Sequence, residues 1–382
     1  MKALSREEIE RYSRQIVLPE IGLKGQKRLK NSSVLLVGVG GLGSPQALYL
    51  AAAGVGRIGL VDEDRVTLSN LQRQVIYDHD DIGCEKVRSA EKRLRKLNPT
   101  IEILGYDTFL NSSNALEICS QYDIVLDGSD NFATRYLVND VCVMQGKPNI
   151  YGSVYRFHGQ LSVFGFDDGP CYRCLYPYPP VPGELESCAV GGVLGVLPGL
   201  IGCLQAAEAI KLITGQKATM SGRLLLIDAL DMVFEEVTIE RDSNCPVCGE
   251  NPVIRHPVDY EEFCGISMDE HIIADAEPFG MSPESLQKKL YSEKNLKLID
   301  IREPAETMIC KIDGAINVPY SRIESLWTYI GPDDHVVLFC RAGIRSARVL
   351  RLLIDRGFGQ VNHLQGGILA WIDAIDPDQP KY

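Results

Sequence analysis

The sequence predicts an α/β protein built as two successive units, and three observations predict it. A short β-branched run, Val34 to Val37, meets Gly38, Gly40 and Gly43, continues into an Ala/Leu-rich helical stretch and returns as a second apolar run ending at Asp62. That is strand, turn, helix and strand around G-x-G-x-x-G, with an acidic residue about 20 positions on. From Ser282 onward helical and strand patterns alternate again, around an apolar strand that delivers Cys340 to a loop opening into a helix. The third observation is size: 382 residues at 45% apolar content suit two or three domains with packed cores.

Composition excludes several function classes. A net charge of -12 with no dense Lys/Arg run argues against nucleic acid as a partner. The N-terminal stretch is charged and amphipathic, without the apolar core of a signal peptide. The longest apolar stretch, Ala189 to Leu204, is interrupted by five glycines and Pro198 and falls short of a membrane span. A soluble, cytoplasmic protein without membrane partners is expected. Twelve cysteines are too dilute for a disulfide scaffold, and their pairing as C-x-x-C points to metal or thiol chemistry.

Residues 5–30 read as a helix, a turn at Pro19 and a second short helix before the first strand. In the glycine turn the backbone can approach a phosphate, the following helix N-terminus favours its charge, and Asp62 can accept hydrogen bonds from ribose hydroxyls. The first ligand is therefore an adenine nucleotide, and the fingerprint alone favours NAD. Beyond Asp62, however, Asp64, Asn70, Arg73 and Gln74 cluster past a strand end, and Lys86 opens a helix that Pro99 closes. The chain has no Walker-type G-x-x-x-x-G-K-[ST], so cations for a triphosphate must come from elsewhere, Arg14 among them. A dehydrogenase has no use for this collection, whereas an enzyme that cleaves ATP needs it for charge developing on the phosphates. A further strand, Ile124 to Leu126, runs into Asp127, Asp130 and Asn131, where one carboxylate can hold Mg²⁺ with the phosphates supplying the other ligands. The blander reading is a helix N-cap before Phe132, and Asp130 can serve as both.

The segments RYSRQIVLPEIGLKGQ, GVGGLGS, VDEDRVTLSNLQRQ and LDGSDNFATRYLVND resemble the ThiF/MoeB family, bacterial relatives of ubiquitin-activating enzymes, over roughly the first 250 residues. The resemblance implies a Rossmann-like ATP-binding adenylation domain at 1–250. Its substrate would be the C-terminal glycine of a ubiquitin-like sulfur carrier of the MoaD or ThiS kind, ending in Gly-Gly. Carried onto this chain, Gly38, Gly40, Gly41 and Gly43 form the nucleotide loop, Asp62 holds the ribose, and Asn70, Arg73 and Lys86 hold the triphosphate. Asp130, beside Asn131, binds Mg²⁺, and Arg14 reaches the partner subunit's site in a homodimer.

Two pairs, Cys171-Tyr-Arg-Cys174 and Cys245-Pro-Val-Cys248, can supply the closed tetrahedral thiolate set of a structural Zn²⁺ site. The resemblance places zinc ligands at the same four positions. Between the pairs a Pro-rich loop precedes an apolar helix, and Cys188 ends that loop outside any C-x-x-C. A buried, inert thiol is the ordinary fate of such a cysteine, and Cys203 on the helix is read that way. At the place of Cys188, related enzymes have a cysteine that can bond covalently to the activated carrier.

Residues 251–281 lack apolar periodicity and read as an ordered tail and linker. The domain at 282–382 centres on Cys340, whose thiolate is expected to be stabilised by loop N–H groups, the helix dipole and Arg341 or Arg345. Its segments DIREPAE, GAINVP, CRAGIRS and GGILAW resemble a single-domain rhodanese. Phosphatases of related shape have a longer loop, whereas only four residues separate Cys340 from Arg345, which suits a bound sulfur atom. Asp300 and Arg302 are expected to brace the loop. A fused adenylation domain and persulfide carrier imply an adenylyltransferase and sulfurtransferase that makes a carrier thiocarboxylate. Molybdopterin synthesis is the expected destination, with thiamine, cysteine or tRNA thiolation as alternatives. The sulfur donor is a cysteine desulfurase or thiosulfate. The rivals are an NAD-dependent oxidoreductase and a rhodanese unit that only docks a donor.

Overall fold

Alternation along β1 (Ser33–Val37) explains how the first unit is layered. Val34 and Leu36 enter one core with Ile58, Leu60, Ile124 and Leu126, while Leu35 and Val37 enter another with Val61 and Val125. A strand sends successive side chains to opposite faces, so a continuous apolar run belongs to a sheet covered on both sides. The computed structural model describes residues 3–180, 191–265, 276–293 and 295–382.

The first unit contains an eight-stranded sheet. With β2 (Arg57–Val61), β3 (Glu102–Tyr106), β4 (Ile124–Asp127), β5 (Asn149–Tyr155), β6 (His158–Phe164), β7 (Arg223–Asp228) and β8 (Val233–Thr238), its order is β3-β2-β1-β4-β5-β6-β7-β8. Strands β1 to β5 run parallel and β6 to β8 antiparallel. Register positions the site: Val37 lies beside both Val61 and Asp127. The turns that follow β1, β2 and β4 therefore leave the sheet at one level, at the carboxyl edge where the strand order reverses, which is where such sheets bind ligands.

The expected helices form at Arg6–Arg11, Gly22–Lys30, Gly43–Ala53, Lys86–Leu97 and Phe132–Met144. Val196–Thr214 is long and apolar enough to cross a membrane by length and composition alone. It is nevertheless a core helix: Gln205 is buried and donates to the carbonyls of Asp127 (2.8 Å) and Ile150 (2.9 Å).

The first unit runs to Cys264, past the boundary expected at 250. A short helix, Tyr260–Phe263, sits on Phe132–Met144, and the Tyr260 hydroxyl donates to Asp140 at 2.9 Å. The second unit, Gly265–Tyr382, has a parallel five-stranded sheet. With β9 (Gly280–Met281), β10 (Leu296–Asp300), β11 (Ile316–Asn317), β12 (His335–Phe339) and β13 (Val361–Leu364), its order is β11-β10-β12-β13-β9. The last two residues of the expected linker thus form an edge strand, too short to carry any periodic signal. Tyr320–Thr328 is a run of 3-10 turns broken at Arg322.

Candidate functional site

A cavity of about 420 Å³ opens at the β1/β4 edge. Its floor is the glycine turn. Gly38 adopts φ +87, and a Cβ there would stand 2.9 Å from the Gly128 carbonyl oxygen. A Cβ on Gly43 would overlap the Gly38 carbonyl, so this glycine seats the helix against the turn. Gly40 differs: a Cβ there would meet only the Gln74 amide, at 3.5 Å, so the protein does not itself exclude a side chain. Bareness that the protein does not need suits close approach by a ligand.

Asp62, Arg73, Lys86, Asp130 and Asn131 line this cavity together with Gly38, Gly40 and Gly41. Asp62 accepts from the Val39 N–H (2.8 Å) and the Asp64 N–H (2.9 Å). Burial pushes its carboxyl above the ordinary range, opposed by Lys86 and those two amides. Each carboxylate oxygen keeps a further lone pair for a ribose hydroxyl. Lys86 is only 5% exposed, and its ammonium lies 2.6 Å from Asp64 and 3.8 Å from Asp62. Asp130 is exposed at the cavity edge, and the helix cap belongs to its neighbour: Asn131 Oδ1 accepts from the Thr134 N–H at 2.8 Å. The helix cap expected of Asp130 therefore falls to Asn131. Asn70 does not line the cavity; its side-chain oxygen accepts from the Thr67 N–H at 3.2 Å within a 3-10 turn. Arg14 does not line it either and stands exposed on a short helix, Ser13–Ile16.

Sequence reasoning missed Arg135. It lies four residues after Asn131, on the same helix face, and is 8% exposed. It lines both the nucleotide-type cavity and a second cavity of about 410 Å³ walled by Phe132, Tyr136, Tyr151, Tyr155, Tyr172 and Tyr176. Asp130 and Val154 also belong to both. The helical spacing from Asn131 was the available signal. The aromatic wall had none, because its rings come from separate elements.

The four paired cysteines converge. Cys171 and Cys245 sulfurs lie 3.5 Å apart, Cys174 and Cys248 3.4 Å, and all four lie within 4.8 Å of one another. A tetrahedron of Zn–S bonds near 2.3 Å has edges of about 3.8 Å, so the donor set fits zinc. Within the first pair, Arg173 is buried against Asp140 through contacts of 2.9 and 2.8 Å, with Tyr136 and Phe263 on its faces. Leaving either buried charge unpaired costs about 3–5 kcal/mol, so this pair anchors the knuckle to the helix that starts at the nucleotide cavity. Purified protein is expected to hold about one zinc per chain, and Cys248→Ser to lower the melting temperature, since ligand loss is loss of folding energy. Metal analysis and a melting curve check both, and metal-free protein with unchanged melting would refute the assignment. Cys188 lies outside the described residues. Cys203 is half-buried on its helix, and burial raises its pKa.

In the second unit, Cys340 follows β12 at 1% exposure and precedes the helix Ile344–Asp355. The Gly343 N–H points at its sulfur from 3.2 Å, and the Ser346 hydroxyl lies 3.6 Å away. Gly343 has φ +97, which turns the loop back over the sulfur. Arg341 and Arg345, either of which is expected to stabilise the thiolate, hold the following partners. Arg345 makes a bidentate pair with Glu306 (2.9 and 2.8 Å), and Arg341 donates to the main-chain oxygen of Tyr382 at 2.7 Å. Asp300 and Arg302 form a buried bidentate pair, and Arg302 also donates to the Cys310 carbonyl at 2.9 Å. The Gly343 amide and the Ser346 hydroxyl are polar neighbours of the sulfur, and the charged groups tie its loop to Glu306 and Tyr382.

Comparison with known proteins places these two sites in families. Residues 12–247 match the ThiF family and residues 282–374 the rhodanese-like domain. A "probable adenylyltransferase/sulfurtransferase MoeZ" of Mycobacterium tuberculosis is 48% identical over 387 residues, covering 100% of this chain and 97% of that protein. The "adenylyltransferase and sulfurtransferase MOCS3" of Aedes aegypti is 42% identical over 393 residues, covering 99% and 90%. Among solved structures, Escherichia coli MccB with ATP aligns at a TM-score of 0.56 and 24% identity, over 63% of this chain and 73% of that one, a likeness of fold.

Proposed function

This chain belongs to the ThiF family, ends in a rhodanese-like domain and is an adenylyltransferase and sulfurtransferase; from that premise we propose that it converts the C-terminal glycine of a ubiquitin-like sulfur carrier into a thiocarboxylate. The observation that carries the reading is the pair of cavities joined at Asp130, Arg135 and Val154. One takes ATP. The other, walled by aromatic rings, takes the narrow Gly-Gly tail of the carrier and brings its carboxylate to the α-phosphorus. A carboxylate approaching a triphosphate meets like charge, and Arg135 at the junction offsets it. Lys86 and Arg73 hold the phosphates, and Asp130 would supply a carboxylate oxygen to Mg²⁺, which neutralises charge on the departing pyrophosphate.

The acyl adenylate then meets a persulfide carried by Cys340. Its outer sulfur attacks the carbonyl and AMP leaves, forming an acyl disulfide. Reduction by an external dithiol, or attack by the Cys188 thiolate on the Cys340 sulfur, expels the thiocarboxylate; the second route leaves a disulfide, which an external dithiol returns to two thiols. A reducing compartment, the cytoplasm, suits this cycle, and all eleven described cysteines are free. The donor that loads Cys340 is a cysteine desulfurase or thiosulfate, and molybdopterin synthesis is the proposed destination, with thiamine, cysteine or tRNA thiolation as alternatives.

Arg14 completes the ATP site of a second subunit in a two-fold dimer. Its exposure, and that of Val17, Leu18 and Leu23 nearby in sequence, support this. The direct test incubates the chain with ATP, thiosulfate and candidate carriers ending in Gly-Gly, following pyrophosphate release and the carrier's mass. The expected result is ATP-dependent exchange of one oxygen for sulfur on one carrier class, abolished by Cys340→Ser. Binding of NAD in preference to ATP would return the oxidoreductase reading.

A further inference from the structure

Two consecutive glycines, Gly366 and Gly367, adopt left-handed backbone at φ +68 and +61, just after β13 and at the start of the helix Gly367–Ala374. A side chain is strained at either place. The second glycine admits a close approach to the sulfur loop. The Ile368 N–H donates to the Cys340 carbonyl at 2.9 Å, and the Leu369 N–H donates to the Arg341 carbonyl at 3.2 Å. Both N–H groups belong to the first turn of the helix, where no intrahelical carbonyl is available to them. A Cβ on Gly367 would stand 2.5 Å from each of those two carbonyl oxygens, far inside contact distance. Gly343, whose N–H points at the Cys340 sulfur from 3.2 Å, is packed here too: a Cβ on it would lie 3.8 Å from the Gly367 nitrogen.

We infer that Gly367 is a positioning residue of the Cys340 site, seating the sulfur loop on a helix start so that the Gly343 N–H stays on the sulfur. The inference rests on the reading that Cys340 carries the transferred sulfur. Its physical basis is the rigidity of the peptide unit. In a planar trans peptide the C=O and N–H point in opposite directions, so anchoring a carbonyl also fixes the amide of the next residue. The anchored carbonyls of Cys340 and Arg341 therefore fix the two peptides that run from Cys340 to Ala342. The next peptide carries the Gly343 N–H, and with the first two held it has few ways to turn. An N–H aimed at a sulfur favours the anionic form, which is the nucleophile in thiol chemistry.

Two alanine variants of the full-length protein separate loop positioning from fold stability. Gly367→Ala drives a methyl group into both loop carbonyls. Gly366→Ala places the same methyl at nearly the same φ, but it meets the Ala370 Cβ at 2.7 Å and nothing of the loop within 4 Å. Both are expected to lower the melting temperature. In thiosulfate:cyanide sulfur transfer, corrected for folded fraction, Gly367→Ala is expected to lower kcat/KM about tenfold and Gly366→Ala by less than about twofold, with pyrophosphate exchange unchanged in both. Equal losses in the two variants would reveal a purely structural role and overturn the proposal.

If the wild-type chain transfers no sulfur to cyanide, the reading of Cys340 fails instead, and alkylation still decides the positioning role. The rate at which iodoacetamide labels Cys340 at neutral pH, followed by peptide mass, is expected to fall about fivefold in Gly367→Ala and to hold in Gly366→Ala. A rate that holds or rises in Gly367→Ala excludes the role, as does an equal fall in both. Should Gly367→Ala not fold, Leu369→Pro takes its place. Leu369 is half-buried, proline is tolerated in the first turn of a helix, and the bond lost is the one to the Arg341 carbonyl. Labelling is then expected to slow about threefold, and an unchanged rate sinks the inference.

Discussion

Replacing Asp130 by alanine is expected to abolish carrier-dependent exchange of pyrophosphate into ATP, by about a thousandfold, while sulfur transfer from thiosulfate to cyanide continues at the wild-type rate. The structure makes this substitution clean. Asp130 is exposed at the cavity edge, and the neighbouring helix is capped by Asn131, so its removal takes away no fold-forming contact among those described. Mg²⁺ binds through one or two carboxylates with the phosphates supplying the remaining oxygens, so losing the exposed carboxylate leaves charge on the departing pyrophosphate uncompensated. Cys340 belongs to a separate unit with its own cores, and the sulfur transfer proposed there needs no nucleotide. A variant exchanging pyrophosphate at near-normal rate would remove Asp130 from the metal site and shift attention to Asp62 and Asp64, the other aspartates of the cavity.

Arg14→Ala should be almost as damaging, by about a thousandfold, and the loss should be repaired by mixing. A guanidinium supplied from a neighbouring subunit contributes on that scale to phosphoryl chemistry. Here the side chain is exposed and absent from the cavity of its own chain. Mixing Arg14→Ala with Asp130→Ala and letting subunits exchange gives heterodimers in which one of the two sites holds both intact groups. Random exchange then restores about a quarter of the wild-type pyrophosphate exchange. Heterodimers shown to form without recovered activity would mean that Arg14 serves its own chain or none.

What was legible in the sequence follows from how local each signal is. The glycine turn, Asp62 and Asp130 sit at the ends of apolar strands, and parallel pairing forces such ends to one edge; positions along the chain therefore implied proximity in space. The four zinc-type cysteines were legible because C-x-x-C is a property of a single turn, repeated twice. Cys340 was legible for the same reason, as a residue between an apolar strand and a helix. Arg135 showed only as one arginine in a helix, and nothing in its neighbourhood announced the aromatic cavity on its other side. That the cap belongs to Asn131 and not to Asp130 was hidden as well, because adjacent polar residues before a helix are interchangeable as caps on paper and distinct only in backbone geometry.

By itself the sequence determined the two α/β units, the ATP-type turn, the metal-type knuckles and the cysteine between strand and helix, since each depends on periodicity or on residues a few positions apart. Only the tertiary structure decided what those parts touch. It set Arg341 on Tyr382 and Arg345 on Glu306, and it bonded Asp140 to both Tyr260 and Arg173, the first of these more than a hundred residues later in the chain. It also joined two cavities at one buried arginine. The reason is physical: a charged side chain in a folded protein goes to whichever partner lets it leave water at least cost, and that partner is chosen by packing across the fold rather than by distance along the chain.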